Sequence, residues 1–562
     1  MLLTNSREAG PTGARDSATT PPRIWWGRWA FLVCELLVLG WVARDLWQHV
    51  AAVRQHVGLP FQVDYEEGNI LNALVRISHG LTPYPDPHAI PNILNPYGPV
   101  AYYLLAIPVK LFGVSFLWPR LVIVASVVAI CVLVALTITR LTGSALAGVV
   151  FGAIYGTLPV VESFSAVLRV DFLALALSTA GVYVFCRGVT GLATEGTEED
   201  GTKATPIADC RLPVARPDSD QIDNRKSTIE NSYRGSSSVS SVVNVALFAP
   251  ALFVAALFVK HTYIAAPLAC ALWLIARQQW QPAARFAATM AAMCAVALAI
   301  ATAATRGTIL TDLFLTHSDP FSWSVYLLRL TDVIARYRVL VVLAAVLLIS
   351  DLLRRRIALP ALWLAMATLT AVTAGKLGSN WNHFLEWSAA LCLCAGLGWE
   401  RMSRIRPRAL ALVIAMVITA WLCIFLWRER SLPFDPFATV EDCDRAYSLV
   451  KQYPGDRVLS ENVGALVLAG KTVWVSNPFV YSQLVMRGGW PDAGLERMVR
   501  NREFDLIVTQ WDYPMYPSFM SDGAERFSSG VVKAIVENYR AVQMYQCTDA
   551  NVIFEPLPLQ SK

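Results

Sequence analysis

The acidic stretch at residues 61–80, FQVDYEEGNILNALVRISHG, contains side chains that could do acid–base chemistry. Asp64, Glu66 and Glu67 lie within four positions there, and a carboxylate can take the proton from an attacking hydroxyl group. Asp64 and Glu67 are three positions apart, so on one helix they would share a face. A solvated helix start would show the same pattern, because carboxylates favour helix N-termini. We predict that Asp64 or Glu67 is a catalytic base and that Glu66 is the weaker candidate.

Further polar side chains stand at the ends of later apolar runs. They are Arg169 and Asp171 in RVD, Lys260 in KHTY, and Lys376, Asn380 and His383 in GKLGSNWNHFLEW. Arg and Lys bind phosphate and stabilise the charge that develops on a departing phosphate group. The structural alternatives are an ion pair between Arg169 and Asp171 and a Lys260 side chain that snorkels to the interface. Tyr97 fits an aromatic belt or, as the lesser alternative, a residue that stacks on a sugar.

The composition indicates that the elements positioning these side chains are membrane helices. The 562 residues are 55% hydrophobic and 16% charged, with a mean hydropathy of +0.45. Soluble domains carry about 25% charged residues, so this chain is predicted to be an integral membrane protein. The net charge of +5 gives no reason to expect a nucleic-acid partner.

Eleven apolar runs approach the ~20 residues that cross a bilayer core. They lie at 27–47, 119–139, 143–163, 170–187, 242–259, 262–277, 285–304, 338–353, 359–375, 384–399 and 407–427. A twelfth run at 97–113 is short and contains Pro99, Pro108 and Lys110. We predict that it forms an interfacial helix within an outer loop, 61–113, and does not span.

Charge and composition predict the topology. Residues 1–24 are polar, and we predict a disordered cytoplasmic tail at 1–26 and a disordered cytoplasmic insert at 188–240. With the N-terminus inside, most Arg-rich loops fall on the cytoplasmic side, as the positive-inside rule requires. The loop at 305–337 departs from the rule, since it would lie outside yet contains Arg329 and two further arginines.

After residue 428 the pattern changes to that of a small extracytoplasmic α/β domain, 428–562. DRVLSENVGALVLAG and FDLIVTQ resemble buried strands, and PDAGLERMVRNRE between them resembles a helix. Cys443 and Cys547 could pair there, because disulfides persist outside the cytoplasm. The predicted fold class is an α-helical polytopic membrane protein with about 11 transmembrane helices, interfacial helices in the first outer loop and this C-terminal domain.

Under this topology the candidate residues converge on one leaflet from several helix ends. Ionisable residues at membrane depth are costly and indicate function. Substrate groups of transporters lie near the bilayer midplane, often between repeated halves, and the chain shows no convincing repeat. Sugar transfer from a phosphate-linked lipid to a hydroxyl group would use this set of a carboxylate and cations. The alternative from another class is a lipid-carrier flippase, which needs a polar path across the whole bilayer.

The order of the motifs along residues 60–400 resembles a known superfamily. The motifs are DYEEG, GLTPYPDP, NPYGPVAYYLLAIPVKLFG, LWPR, RVDFLALAL, KHTYIAAPLACALWL and NWNHFLEWSAAL. Together they resemble the GT-C superfamily of polyprenyl-phosphate-sugar glycosyltransferases. The resemblance is to bacterial members related to the protein O-mannosyltransferases and the lipid A aminoarabinose transferases.

The resemblance implies an inverting glycosyltransferase, a hexosyl- or pentosyltransferase, in the bacterial cytoplasmic membrane. It implies a polyprenyl-phosphate sugar donor and a glycan, lipid or protein acceptor, with a polysaccharide polymerase or ligase as a further alternative. By position, Asp64 and Glu67 match the catalytic acid of the first outer loop, and Asp171 matches a second acid. No metal or cofactor is assigned, although a divalent cation held by Asp64 and Glu67 stays open.

Overall fold

The computed structural model describes residues 25–195, 239–317, 319–405, 408–428, 440–488, 490, 493–522, 526–547 and 550–558. The predicted tail at 1–26 lies almost entirely outside these residues, as does most of the insert at 188–240. The insert is shorter than expected at both ends, because the helix before it continues to Glu195 and the helix after it begins at Val239.

The part of the chain before residue 429 is helical. Its helices are α1 (Trp25–Val57), α2 (Tyr65–Ser78), α3 (Pro99–Phe112), α4 (Leu117–Thr142), α5 (Ala145–Gly156), α6 (Pro159–Phe164), α7 (Asp171–Glu195), α8 (Val239–Val259), α9 (Ala265–Ala276), α10 (Trp280–Ala304), α11 (Thr308–Phe314), α12 (Trp323–Arg336), α13 (Arg338–Leu353), α14 (Leu359–Thr370), α15 (Leu385–Met402) and α16 (Arg408–Arg428). Each of the eleven predicted runs contains helix, so the polytopic helical fold class is confirmed.

The number of spans is not settled by these helices. Four described helices are long and apolar enough to cross a membrane, or five if the pair α12 and α13, bent by 87°, is one span. Other apolar helices are shorter, such as Ala145–Gly156, because the predicted run at 143–163 breaks before Pro159. A proline lacks the N–H that would continue the preceding turn. The count of eleven therefore stays a prediction.

Helix α15 lies at the centre of the bundle and carries the candidate loop on its N-terminal end. Its sequence is rich in Ala, Cys and Gly, and nearly all of its residues are buried. A Cβ atom at Gly398 would lie 1.9 Å from the backbone oxygen of Leu343, so only glycine lets α13 approach this closely. The tight packing fixes the position of the preceding residues 376–384 at this end of the bundle.

The segment 61–113, predicted to be an outer loop, contains helices α2 and α3, and α3 fits the predicted interfacial helix. Helix α3 buries one face, including Tyr102, and leaves the apolar side chains of Tyr103, Leu104 and Ile107 exposed. An apolar helix face open to the surroundings suits a helix that lies against a bilayer. Helix α2 packs instead on the C-terminal unit, where a Cβ atom at Gly68 would lie 2.4 Å from the backbone nitrogen of Gly464.

The C-terminal unit is a four-stranded sheet covered by short helices. Its elements are α17 (Val440–Gln452), β1 (Val458–Ser460), α18 (Val463–Leu468), α19 (Pro478–Met486), α20 (Ala493–Arg500), β2 (Leu506–Thr509), α21 (Phe519–Asp522), α22 (Ser529–Asn538), β3 (Tyr539–Gln546) and β4 (Ala550–Pro556). The strand order is β1-β2-β4-β3; β1 is parallel to β2, and β4 is antiparallel to both neighbours.

The predicted α/β character of this unit is confirmed, with one correction. DRVLSENVGALVLAG forms a strand only at Val458–Ser460 and then turns into α18. The side chain of Asn462 accepts a hydrogen bond from the backbone nitrogen of Ala465, which caps the helix and stops the strand. The helix predicted in PDAGLERMVRNRE is present as α20.

Cys443 and Cys547 form a disulfide that joins α17 to the segment after β3. Disrupting this bond is expected to destabilise the C-terminal unit by about 2–5 kcal/mol, because the bond restricts the unfolded chain. Cys443→Ser and Cys547→Ser should each lower the midpoint of thermal unfolding, whereas Cys294→Ser, at a free cysteine, should not. Recovery of separate, alkylatable thiols at 443 and 547 from the unreduced protein would contradict the pairing.

Candidate active site

A cavity of about 570 Å³ opens at the end of the helix bundle that meets the C-terminal unit. Its walls come from residues 63–66, 96–97, 169, 260–264, 370–383, 479–480 and 526. Seven of the nine residues predicted from the sequence line this cavity, namely Asp64, Tyr97, Arg169, Lys260, Lys376, Asn380 and His383. Side chains from distant parts of the sequence therefore meet at one site.

Asp64 lies at the start of α2, where the chain changes from extended to helical backbone. It is the N-cap residue, and its Oδ1 atom accepts a hydrogen bond of 3.0 Å from the backbone nitrogen of Glu66. Its Oδ2 atom lies 3.1 Å from Nη1 of Arg169. The side chain keeps 20% of its exposure, so a carboxylate oxygen remains accessible from the cavity.

Glu67 does not line the cavity, and the expectation that it shares a face with Asp64 is wrong. Its side chain is fully buried and forms an ion pair of 2.6 Å with Arg120. The reason is local: Asp64 has the extended backbone of an N-cap, so helical spacing does not apply between the two residues. Of the two predicted bases, only Asp64 faces the cavity.

Asp171 also lies behind the cavity wall, where it holds cations in place. Its Oδ1 atom accepts hydrogen bonds from Nζ of Lys260 at 2.7 Å and from Nδ2 of Asn382 at 3.0 Å. Its Oδ2 atom lies 4.0 Å from Nε of Arg169. The ion pair between Arg169 and Asp171 is therefore present, as the structural alternative expected, but it belongs to a larger network that includes Lys260.

Lys260 also lies beside an aromatic ring, since its Nζ atom is 5.6 Å from the ring centroid of Tyr97. Tyr97 is buried, and its backbone oxygen accepts a hydrogen bond of 2.6 Å from the hydroxyl group of Tyr84. The aromatic face and the Asp171 carboxylate together fix the ammonium group at the cavity wall. Tyr97 thus contacts Lys260, a cation of the site. This contact differs from both roles considered from the sequence, which were a place in an aromatic belt and stacking on a sugar.

The loop at 376–383 supplies the opposite wall. Arg329 comes from the segment 305–337, which was predicted to depart from the positive-inside rule. It braces this loop by donating to the backbone oxygen of Ala374 and to Oγ of Ser379, both at 2.6 Å. His383 pairs through Nδ1 with the hydroxyl group of Thr373 at 2.8 Å. Burial, together with the charge of Lys260, lowers the pKa of His383 to about 3, so its imidazole is neutral at physiological pH.

Three further side chains line the wall: Glu66, the weaker of the candidate bases, and Tyr65 and Arg526, which were not predicted. Tyr65 and Glu66 follow Asp64, and burial raises the pKa of the Glu66 carboxyl group. Arg526 comes from the C-terminal unit, and its guanidinium carbon lies 3.3 Å from the centroid of the Tyr65 ring. The hydroxyl group of Tyr65 is fixed by Asn477 and by the backbone nitrogen of Phe479. Arg526 has no motif around it, so only the fold could reveal it.

The site combines an accessible carboxylate with several cations. Arg169, Lys260, Lys376 and Arg526 line the cavity together with Asp64, Glu66 and Asp319. Such a wall can bind a phosphate group and hold a base beside it. A divalent cation shared by Asp64 and Glu67 does not fit, because both oxygens of Glu67 accept N–H groups.

Solved structures share this architecture over almost the whole chain. ArnT from Cupriavidus metallidurans in the apo state matches with a TM-score of 0.57 at 11% identity, covering 92% of this chain and 98% of that one. The same protein bound to undecaprenyl phosphate matches with a TM-score of 0.55 at 10% identity and the same coverage. The chain therefore shares its fold with these solved structures. The fold resemblance predicted from the motifs is therefore confirmed.

An archaeal neighbour has the same fold within a longer chain. The oligosaccharyltransferase of Archaeoglobus fulgidus in the apo form matches with a TM-score of 0.53 at 10% identity, covering 92% of this chain and 73% of that one. No family model matches the chain, and no curated protein matches it significantly. At such identities the similarity concerns the fold, so the chemistry of the site has to be argued from its own residues.

Proposed function

We propose that this protein is a membrane glycosyltransferase that moves a sugar from a polyprenyl-phosphate-linked donor to a hydroxyl group of an acceptor. The observation that carries the proposal is the position of Asp64 in one cavity with Arg169, Lys260 and Lys376. Two fold neighbours support it: an ArnT structure holds undecaprenyl phosphate, and an Archaeoglobus fulgidus oligosaccharyltransferase was solved with a tethered acceptor peptide. Transfer between a phosphate-linked lipid and an acceptor needs a base and a phosphate site.

In the proposed reaction, Asp64 accepts the proton of the acceptor hydroxyl group as its oxygen attacks the anomeric carbon of the sugar. A bond forms between that oxygen and the carbon, and the bond from the carbon to the phosphate oxygen breaks. The leaving group is the polyprenyl phosphate, whose growing negative charge Lys260 and Lys376 stabilise. A single displacement of this kind inverts the anomeric configuration. Arg169 orients the carboxylate of Asp64 through the contact between its Nη1 atom and Oδ2.

The two substrates reach the cavity from different sides under this proposal. The polyprenyl chain has to stay in the bilayer, so its phosphate arrives from the side of the helix ends that carry Lys260 and Lys376. The acceptor then enters from the aqueous side, beneath the wall formed by Phe479, Val480 and Arg526. The C-terminal unit would therefore act in acceptor recognition, and its disulfide agrees with a place outside the cytoplasm.

Arg526→Ala is expected to raise the KM for the acceptor about 10-fold or more, because it removes a cation that stacks on Tyr65. The dissociation constant for polyprenyl phosphate should stay unchanged. Arg497→Ala is the matched control, since Arg497 is an exposed arginine on the same unit. Steady-state kinetics with each substrate varied in turn provide the measurement. If Arg526→Ala weakened the affinity for the donor and left the KM for the acceptor unchanged, Arg526 would contact the donor and not the acceptor.

The flippase alternative predicts a different phenotype. Cells that lack a transferase should accumulate the polyprenyl-phosphate sugar on the outer leaflet and lose the modified glycan, lipid or protein. Cells that lack a flippase should accumulate the lipid on the cytoplasmic leaflet. Lipid and glycan profiling of a deletion strain, complemented with the native protein or with Asp64→Asn, distinguishes the two. Unchanged lipids and glycans would contradict both.

The identities of the sugar and of the acceptor belong to the same experiment. The sugar that accumulates on the lipid carrier identifies the donor as a hexose or a pentose, and the missing product shows whether the acceptor is a glycan, a lipid or a protein. A shortened polymer in place of a missing sugar would favour the polymerase or ligase variant of the same chemistry. A reporter fused after residue 562 tests the orientation and should be active outside the cytoplasm.

A further inference from the structure

We infer that Glu67 and Arg120 are a positioning pair that fixes the distance between Asp64 and Arg169 in the cavity. The inference rests on the proposed function for its kinetic consequences, and on the described contacts for its structural ones. Both side chains are fully buried, although ionised groups are rarely buried without a specific arrangement of partners.

The carboxylate of Glu67 connects two segments that carry the site. Its Oε2 atom accepts from the backbone nitrogen of Val63 at 2.6 Å, directly before Asp64. Its Oε1 atom accepts from the backbone nitrogen of Leu168, also at 2.6 Å, directly before Arg169. One side chain therefore holds the backbone neighbours of both members of the Asp64–Arg169 pair.

Arg120 completes the arrangement from the membrane bundle. Its Nε and Nη2 atoms bind the two oxygens of Glu67 at 2.8 and 2.6 Å. Its remaining N–H groups reach the backbone oxygens of Leu59 and Phe61, each at 2.8 Å, in the segment that leads into α2. The planar guanidinium fork thus ties the entry of α2 to helix α4, which lysine could not do in the same geometry.

These contacts define the distance between the side chains of Asp64 and Arg169 in the cavity wall. Nη1 of Arg169 lies 3.1 Å from Oδ2 of Asp64, and Glu67 holds the backbone of the residue before each of them. A displacement of about 1 Å at a reacting group can reduce a rate about 10²-fold. Loosening Glu67 should therefore affect the chemical step more than substrate binding, since Lys260 is held separately by Asp171.

Glu67→Gln is the decisive variant. Glutamine has the same shape, but its amide nitrogen accepts no hydrogen bond, so two of the four N–H groups around it lose their acceptor in either orientation of the amide. The second variant is Arg120→Lys, which keeps the charge and loses the fork. Arg120→Lys tests the positioning role if the Glu67→Gln protein does not insert into the membrane.

The matched control is Asp351→Asn. Asp351 lies 3.5 Å from Arg401, and this ion pair is also almost completely buried but joins α13 to α15 without contacting the cavity. A purely structural role of buried pairs would make this variant behave like Glu67→Gln. We expect instead that only the Glu67 and Arg120 variants change the site.

Two measurements separate this inference from the proposed function. Hydrogen exchange of the purified Glu67→Gln protein should be faster than that of the native protein in residues 61–67 and 165–170. In Asp351→Asn the exchange of these residues should stay at the native rate. Unchanged exchange in Glu67→Gln would overturn the inference whatever the activity. In transfer assays kcat should fall about 10²-fold with the KM for the donor unchanged. A native kcat for Glu67→Gln would also overturn it, whereas a wild type inactive with every donor would overturn the proposed function instead.

Discussion

Replacing Asp64 by Asn is expected to lower the rate of sugar transfer about 10²–10⁴-fold, the range that general base catalysis contributes. The variant removes the basic oxygen but keeps the shape of the side chain. Asn is also a favourable N-cap residue, so its oxygen can still accept from the backbone nitrogen of Glu66 and start α2. The loss should therefore appear in kcat, in protein that remains folded and inserted.

The control for this prediction is Asp332→Asn on α12. Asp332 forms an exposed pair with Arg336, with N and O atoms 3.5 Å apart, and surface pairs of this kind contribute about 0–1 kcal/mol. It should transfer sugar at the native rate. If Asp64→Asn retained the native rate while binding the donor normally, another group would have to accept the proton.

Replacing Lys260 by Met is expected to weaken binding of the donor phosphate about 10- to 100-fold. This range corresponds to the loss of a hydrogen bond to a charged group, about 1.5–3 kcal/mol. The side chain lies in the cavity wall and is oriented by Asp171 and by the ring of Tyr97. Titration of purified protein with undecaprenyl phosphate measures the effect directly.

The same substitution leaves Asp171 buried without its closest cation, which would destabilise the protein in addition. The double variant Lys260→Met with Asp171→Asn removes that charge and serves as the control. It should recover stability but not affinity for the phosphate. Native affinity in both variants would show that the phosphate binds elsewhere, and recovery of affinity in the double variant would show that Lys260 acts only through Asp171.

The sequence predicted the structure well where a residue type strongly favours one environment. Long apolar runs predicted the helices, and cations at their ends predicted the walls of the cavity, because ionisable groups at membrane depth need a polar environment. Arg169, Lys260 and Lys376 come from three separate loops, and all three line the cavity. The predicted topology alone was enough to predict that these three side chains lie close together.

The roles of individual acids could not be predicted in the same way. Asp64 and Glu67 have the same chemistry and nearly the same position, and only the backbone at Asp64 separates them. The partner of Glu67 is Arg120, in the LWPR motif, which no rule of local spacing connects to residue 67. Contacts between distant segments of this kind depend on packing and not on pattern.

The C-terminal unit shows the same limit. Strand β3 is exposed along most of its length and lacks the alternation of a half-buried strand, so YRAVQMYQ gave no strand signal. Arg526 reaches the cavity because the C-terminal unit docks on the helical part of the chain, for example through hydrogen bonds between residues 92–94 and 474–476. The number of membrane spans could not be predicted for a similar reason, because breaks such as the one before Pro159 shorten the helices within apolar runs.

The central claim is that this cavity catalyses sugar transfer from a polyprenyl-phosphate donor. The most direct test incubates purified protein in lipid vesicles with a panel of labelled polyprenyl-phosphate sugars and with an extract containing acceptors from the deletion strain. We expect the native protein to release polyprenyl phosphate and label an acceptor with one of these sugars, and Asp64→Asn to bind that donor without transferring the label. Equal transfer by both proteins, or donor binding by neither, would contradict the account.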